Sequence, residues 1–327
     1  MNHKYARWIF IILSLSFILK FYADENFWRS INDFPALNAW SLPLFCIIIL
    51  LIPFNWFLEG LKWRVFLSKD KKPSYPVMLK IIFAGVSCAI LTPNRMGDFI
   101  GRGLVSPTEM REETVLATFM GNFCQFFILL LFGIPALVFL FPLLANHSAQ
   151  QTQFPVVAVV FWLILCLVFL FVYPYIFQFF ARLSKRWQWT TSWEEKFLSL
   201  SNITYVTFFK GLFYAGVRYL VFSFQYYLVL NLWGVHLPLF SMYIGLASLY
   251  LFQTIIPLPP IYSLIVRGET SVLVWGIWGV APITAMTASY MLFIFNLFIP
   301  AVIGFFILLP IRSSKNKITF FYLDFIY

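Results

Sequence analysis

The sequence predicts an all-α, polytopic integral membrane protein with about six full transmembrane helices and two re-entrant helical hairpins of opposite orientation. Three observations carry this expectation: the composition, the lengths of the apolar runs and the placing of the basic residues. Of 327 residues, 61% are hydrophobic, 21% aromatic and 11% charged. Soluble domains run at about 45–50% apolar and about 25% charged. So few charges cannot cover a soluble core of this size, which excludes a soluble enzyme, a disordered chain, a secreted disulfide scaffold and a collagen. A net charge of +10 would suggest nucleic acid in a soluble chain. In a membrane protein it is the excess of Lys and Arg in cytoplasmic loops, and no nucleic-acid partner is expected.

The elements follow in order. His3, Lys4 and Arg7 precede the apolar run Trp8–Leu19, and Lys20 with Asp24-Glu25 follows it in place of a small-residue cleavage site. It reads as an uncleaved first span. A crossing needs about 20 apolar residues, and Ala39–Leu58, Ala117–Phe141, Pro155–Ala181, Gly211–Trp233 and Thr287–Leu309 supply five more. Two apolar segments differ. Val77–Leu91 would be about 23 Å long as a helix and runs into Thr92-Pro93-Asn94-Arg95. Leu239–Ile256 runs into Pro257, Pro259 and Pro260, then Arg267-Gly268-Glu269.

The basic residues decide how these two thread. As ordinary spans, they would leave the uncharged loop Pro142–Phe154 inside and the basic stretch Arg182–Lys210 outside, against the positive-inside rule. As re-entrant hairpins, they place eighteen of the 23 Lys and Arg residues on the cytoplasmic side, with Lys20 and Arg29 outside. Arg95, Arg218 and Arg267 then lie at membrane depth. Both termini are cytoplasmic, the first hairpin enters from the cytoplasm and the second from outside. Two broken segments of opposite orientation are the mark of an inverted repeat; eight full spans are the alternative. The expected organisation is one transmembrane domain, 1–311, and a short basic and aromatic tail, 312–327. Within Arg182–Lys210, Trp187, Trp189 and Trp193 suit an interfacial helix. Cys46, Cys88, Cys124 and Cys166 lie far apart in apolar runs, with neither metal spacing nor a disulfide framework. No metal or cofactor is expected.

Ionised groups at membrane depth cost about 2.5–3.5 kcal/mol on insertion scales and normally face a protein interior or a wet cavity. They are therefore the candidate site. Pro93 interrupts the first hairpin, and Asn94, Gly97 and Gly101 permit a tight turn and close packing. If 95–102 is helical, Arg95, Asp98 and Arg102 share one face. That arrangement reads either as an internal ion network or as an anion site, because guanidinium groups suit phosphate bidentately. Arg218 and Gln225, seven apart, share a face of their span, where Arg218 either snorkels or lines a cavity. Arg267 and Glu269 form a third group, in which Glu269 is expected to meet Arg95 or Arg218 or to stay in water. Gln125 reads as interhelical hydrogen-bonding glue. Glu59, with Lys62, Trp63 and Arg64, reads as a cytoplasmic cap.

Thr92-Pro93-Asn94-Arg95-Met96-Gly97-Asp98 resembles the P-x-R-x-G-E signature of the lysylphosphatidylglycerol synthase transmembrane-region family of flippase-like proteins, with Asp98 where the family has Glu. Phe119-Met120-Gly121-Asn122-Phe123-Cys124-Gln125, the stretch Arg218–Tyr227 and the late proline turn with Arg267-Gly268 are similar to the family's later segments. The resemblance runs from about Asn55 to Leu309. Ile261-Tyr262-Ser263-Leu264 lacks the family's Gly-rich turn. In the family this module moves an aminoacylated phospholipid between leaflets, and a separate cytosolic domain makes it. No such domain is expected in this chain. The resemblance therefore implies a translocator in the bacterial cytoplasmic membrane rather than a synthase. The expected partner is a membrane phospholipid or lipid-linked anionic substrate held by Arg95, Asp98, Arg102, Arg218, Gln225, Arg267 and Glu269. A membrane enzyme or enzyme subunit acting on polyprenyl-phosphate-linked sugars is one alternative. A non-catalytic partner of another membrane protein is the other.

Overall fold

The computed structural model describes residues 41–144, 153–186, 191–255 and 263–312. The expected first span Trp8–Leu19, the proline turn at 257–260, Trp187 and Trp189, and the tail beyond Arg312 lie outside the described residues. Among the described residues the regular structure is helical throughout. It comprises α1 (Ser41–Val65), α2 (Tyr75–Ala89), α3 (Gly97–Val105), α4 (Arg111–Leu144), α5 (Gln153–Arg186), α6 (Thr191–Ser201), α7 (Tyr205–Leu232), α8 (Leu239–Ile255), α9 (Ser263–Gly276), α10 (Pro282–Phe293) and α11 (Ile299–Arg312). A π-helical segment, Ile294–Phe298, joins α10 to α11. This is an all-α membrane protein, as expected for chains whose backbone must satisfy its own hydrogen bonds in lipid.

Four stretches are long and apolar enough to cross a bilayer: Ser41–Val65, Thr108–Leu144, Val156–Ser184 and Pro282–Pro310. They correspond to four of the expected spans. The fifth, α7, has 28 residues, about 42 Å of helix, and is less apolar because it carries Lys210, Arg218 and Gln225.

Neither segment of the first hairpin can cross. α2 has 15 residues and α3 has nine, about 23 Å and about 14 Å against a core of about 30 Å. Their packing is antiparallel and unusually close. A Cβ on Gly97 would strike the carbonyl of Cys88, one on Gly101 that of Ala84, and one on Gly85 the side chains of Asp98 and Arg102. The turn between them is closed by one hydroxyl. Thr92 Oγ1 accepts from the Gly97 amide at 2.7 Å and donates to the Ala89 carbonyl at 3.2 Å, joining the end of α2 to the start of α3. Pro93 opens the turn, and Asn94 and Arg95 both take left-handed backbone, with φ of 50° and 59°.

The second hairpin repeats the plan. α8 and α9 have 17 and 14 residues, about 26 Å and about 21 Å. Gly245 lies against Trp275, and Gln253 bonds Arg267, so numbering rises along one helix as it falls along the other. Both pairs of short helices thus double back. α4, α5, α6 and α7 lie between the two hairpins along the chain.

The packing has a two-fold pattern. α1 packs along α7; α2 packs on α11 as α8 packs on α4; α3 packs on α4 as α9 packs on α10. Exchanging the set α1, α2, α3, α4 for the set α7, α8, α9, α10–α11 returns the principal pairings. α5 lies at the edge, packed mainly on the short α6. The π-segment turns Asn296 inward: its amide donates to Gln225 at 2.8 Å and accepts from Asn55 at 3.2 Å, while Gln225 donates to the Ile48 carbonyl at 2.9 Å. This chain of amides ties α1, α7 and the π-segment beside the charged centre.

Candidate functional site

α1, α3 and α7 bring five ionised side chains together. Arg102 grips Asp98 side-on, with Nε on Oδ1 at 2.7 Å and Nη2 on Oδ2 at 2.8 Å. The same Nη2 reaches Glu59 Oε1 at 2.9 Å. Glu59 Oε2 is 2.6 Å from Lys62 Nζ and 3.3 Å from Arg218 Nη1. Gln125 of α4 accepts from the same Arg218 Nη1 at 3.2 Å, as expected of interhelical glue. Asp98, Arg102 and Lys62 are each 1% exposed and Glu59 is 3% exposed. Burial of this degree is tolerable only because every charge is paired. Two carboxylates against three cations leave the cluster one positive charge in excess.

Glu59 and Lys62 correct the sequence expectation of a cytoplasmic cap. α1 continues to Val65, so these positions face the bundle, one turn apart, instead of ending the span. An acid and a base at i and i+3 close behind an apolar run was the available signal. Arg102 and Lys62 are buried inside the bundle.

The second part of the site lacks acids. Arg95 does not share a helical face with Asp98, because α3 begins only at Gly97 and Asp98 is taken by Arg102. Among the described residues Arg95 makes no ion pair, and its backbone is held at φ 59°, a conformation that costs a non-glycine residue about 1–2 kcal/mol. Arg267 donates from Nε to Ser263 at 3.1 Å and from Nη1 to Gln253 at 2.8 Å, over the ring of Phe293; neither oxygen is charged. Arg95 acts electrostatically on both Arg218 and Arg267, so one cation from each hairpin and one from α7 share a region. Like charges held this way repel one another unless an anion intervenes.

Glu269 meets neither Arg95 nor Arg218. Two positions on from Arg267 it points to another side of α9, next to Tyr290 of α10, and its Oε1 is buried without a hydrogen-bond partner. Gln225 lies in the amide chain described above, with both ends of its side chain bonded. Pro93, Asn94, Gly97 and Gly101 build the hairpin turn and its close packing. Among the described residues no group of His, Cys, Asp and Glu side chains could hold a metal ion.

No curated protein and no solved structure matches the chain. The family described as lysylphosphatidylglycerol synthase TM region matches residues 7–304, nearly its whole length. That match includes both hairpins and every charged residue of the centre, and it associates the protein with lipid handling. The chain belongs to the lysylphosphatidylglycerol synthase TM region family.

Proposed function

We propose that the protein binds the anionic headgroup of a membrane lipid, or of a lipid-linked substrate, between its two hairpins and carries it from one leaflet to the other. The observation behind this reading is that Arg95 lies within electrostatic reach of both Arg218 and Arg267, with acids, Glu59 and beyond it Asp98, only on the Arg218 side. An anion relieves their mutual repulsion, and guanidinium groups match phosphoryl oxygens. Arg95, Arg218 and Arg267 hold the headgroup. Asp98 and Arg102, with Glu59 and Lys62, fasten the first hairpin to α1, and Gln225 keeps α7 in register. Glu269 lies on the second hairpin facing Tyr290, outside the anion's first contacts. The two-fold packing supports movement of the hairpins in alternation, one mouth to each side of the membrane. The proposed setting is the bacterial cytoplasmic membrane with both termini in the cytoplasm, from the distribution of Lys and Arg.

An enzymatic reading would need Asp98 as a base or metal ligand, and both its oxygens are occupied by Arg102. The test is reconstitution of the full chain into liposomes with fluorescent phosphatidylglycerol, phosphatidic acid and phosphatidylcholine, followed by quenching from outside. Faster leaflet exchange of the anionic lipids than in protein-free vesicles is expected. Equal exchange with and without protein for every headgroup would overturn the proposal.

A further inference from the structure

The two arginines of the centre use their guanidinium groups differently. Arg102 offers a carboxylate its Nε and Nη2, the side-on fork, and both donors are filled by Asp98. Arg218 spends only Nη1, on Glu59 and Gln125. Its Nε is buried with no hydrogen-bond partner, and no partner occurs for Nη2 among the described residues. The same edge that clamps a carboxylate in Arg102 therefore lacks an acceptor in Arg218 among the described residues. Unmade bonds from a charged buried donor are costly, and the group is the more exposed of the two, at 15% against 1%.

A second unused donor lies beneath it. Arg218 Cζ sits 5.5 Å from the ring centroid of Trp56. Trp56 is 2% exposed, and its indole N–H is also buried without a partner. Indole can only donate, so water aside, an acceptor is what this place lacks. Glu59 and Gln125 hold the opposite end of the guanidinium and so fix the direction of the unused fork.

The geometry points to a defined oxyanion seat: two oxygens of a phosphoryl group accept from Arg218 Nε and Nη2, and the Trp56 indole donates to the same group. This rests on the anionic-headgroup reading above and names the atoms that first receive the headgroup. The shared chemistry is a phosphate ester or free phosphate.

The experiment measures binding of dioleoyl phosphatidic acid, dioleoyl phosphatidylcholine and inorganic phosphate to the purified full chain in detergent, with melting followed in parallel. Wild-type protein is expected to prefer phosphatidic acid to phosphatidylcholine, and inorganic phosphate at millimolar concentration is expected not to displace it. Absence of that preference overturns the anionic-headgroup reading itself. Displacement by inorganic phosphate overturns the lipid source and makes the seat a free-phosphate site. Arg218→Lys keeps the charge and the contact with Glu59 but removes the fork; a loss of about tenfold or more in affinity is expected. Trp56→Phe keeps the ring and its packing and removes one donor, with a loss of about three- to tenfold. If phosphatidic acid binds while Trp56→Phe and any folded Arg218→Lys protein bind it as wild type does, the seat is wrong although the broader reading stands. Should Arg218→Lys fail to fold, Trp56→Phe alone decides.

Discussion

Arg95 and Arg102 lie in the same hairpin and face opposite electrostatic situations. Arg102 neutralises Asp98 and part of Glu59 in a site 1% exposed to solvent. Arg102→Ala strands those carboxylates and is expected to destabilise the protein by about 3–5 kcal/mol, visible as a large fall in melting temperature in detergent. Arg95 has no acidic partner among the described residues and occupies left-handed backbone. Arg95→Ala is therefore expected to leave the melting temperature close to wild type while reducing exchange of anionic lipid by about tenfold or more, the weight of one charged hydrogen bond. A variant that unfolds, or one that transports normally, contradicts this assignment. The pair was only half legible in the sequence. Asp98–Arg102 follows from i, i+4 spacing, but the sequence does not tell which arginine the aspartate takes, because that depends on where α3 begins.

At the scale of elements, each hairpin exists because two short helices can approach closely. Gly101 has the carbonyl of Ala84 where a side chain would stand, so Gly101→Val must separate α2 from α3 and with them the Asp98–Arg102 clamp. Overpacking of this kind costs about 1–3 kcal/mol or more; protease sensitivity of the loop 106–110 should rise, and resistance equal to wild type would contradict the tight interface. Length was the sequence signal for the first hairpin, since 15 residues cannot span the core; the proline turn and the placing of basic residues were the signal for the second. The glycines marked the first one. In the second, the close contact comes from Gly245 against Trp275, which no local motif announces.

For the whole molecule, the hairpins impose a topology that labelling can read. Lys69 and Thr108 are exposed at either end of the first hairpin, and His236 and Ala281 flank the second. With all native cysteines replaced, cysteines at 69 and 108 are expected to react with an impermeant maleimide from one side of the membrane, and cysteines at 236 and 281 from the other. Reaction of 69 and 108 from opposite sides would mean that the first hairpin crosses. The two-fold exchange of packing partners adds that changes at either hairpin mouth should alter transport, each through access from its own side.

The chain's own residues were enough to mark a helical membrane protein of this family and where its long spans lie. Those features depend on local composition, on the length of apolar runs and on motifs read in order. The sequence did not determine the ion network. Glu59 and Lys62 looked like the end of a span, and Glu269 looked like a partner for an arginine. The packing alone brought Glu59 to Lys62, Arg102 and Arg218 together, while Glu269 and Arg95 make no ion pair among the described residues. A buried charge is paired by whichever helix the packing brings against it, and that choice depends on crossings far apart in the chain.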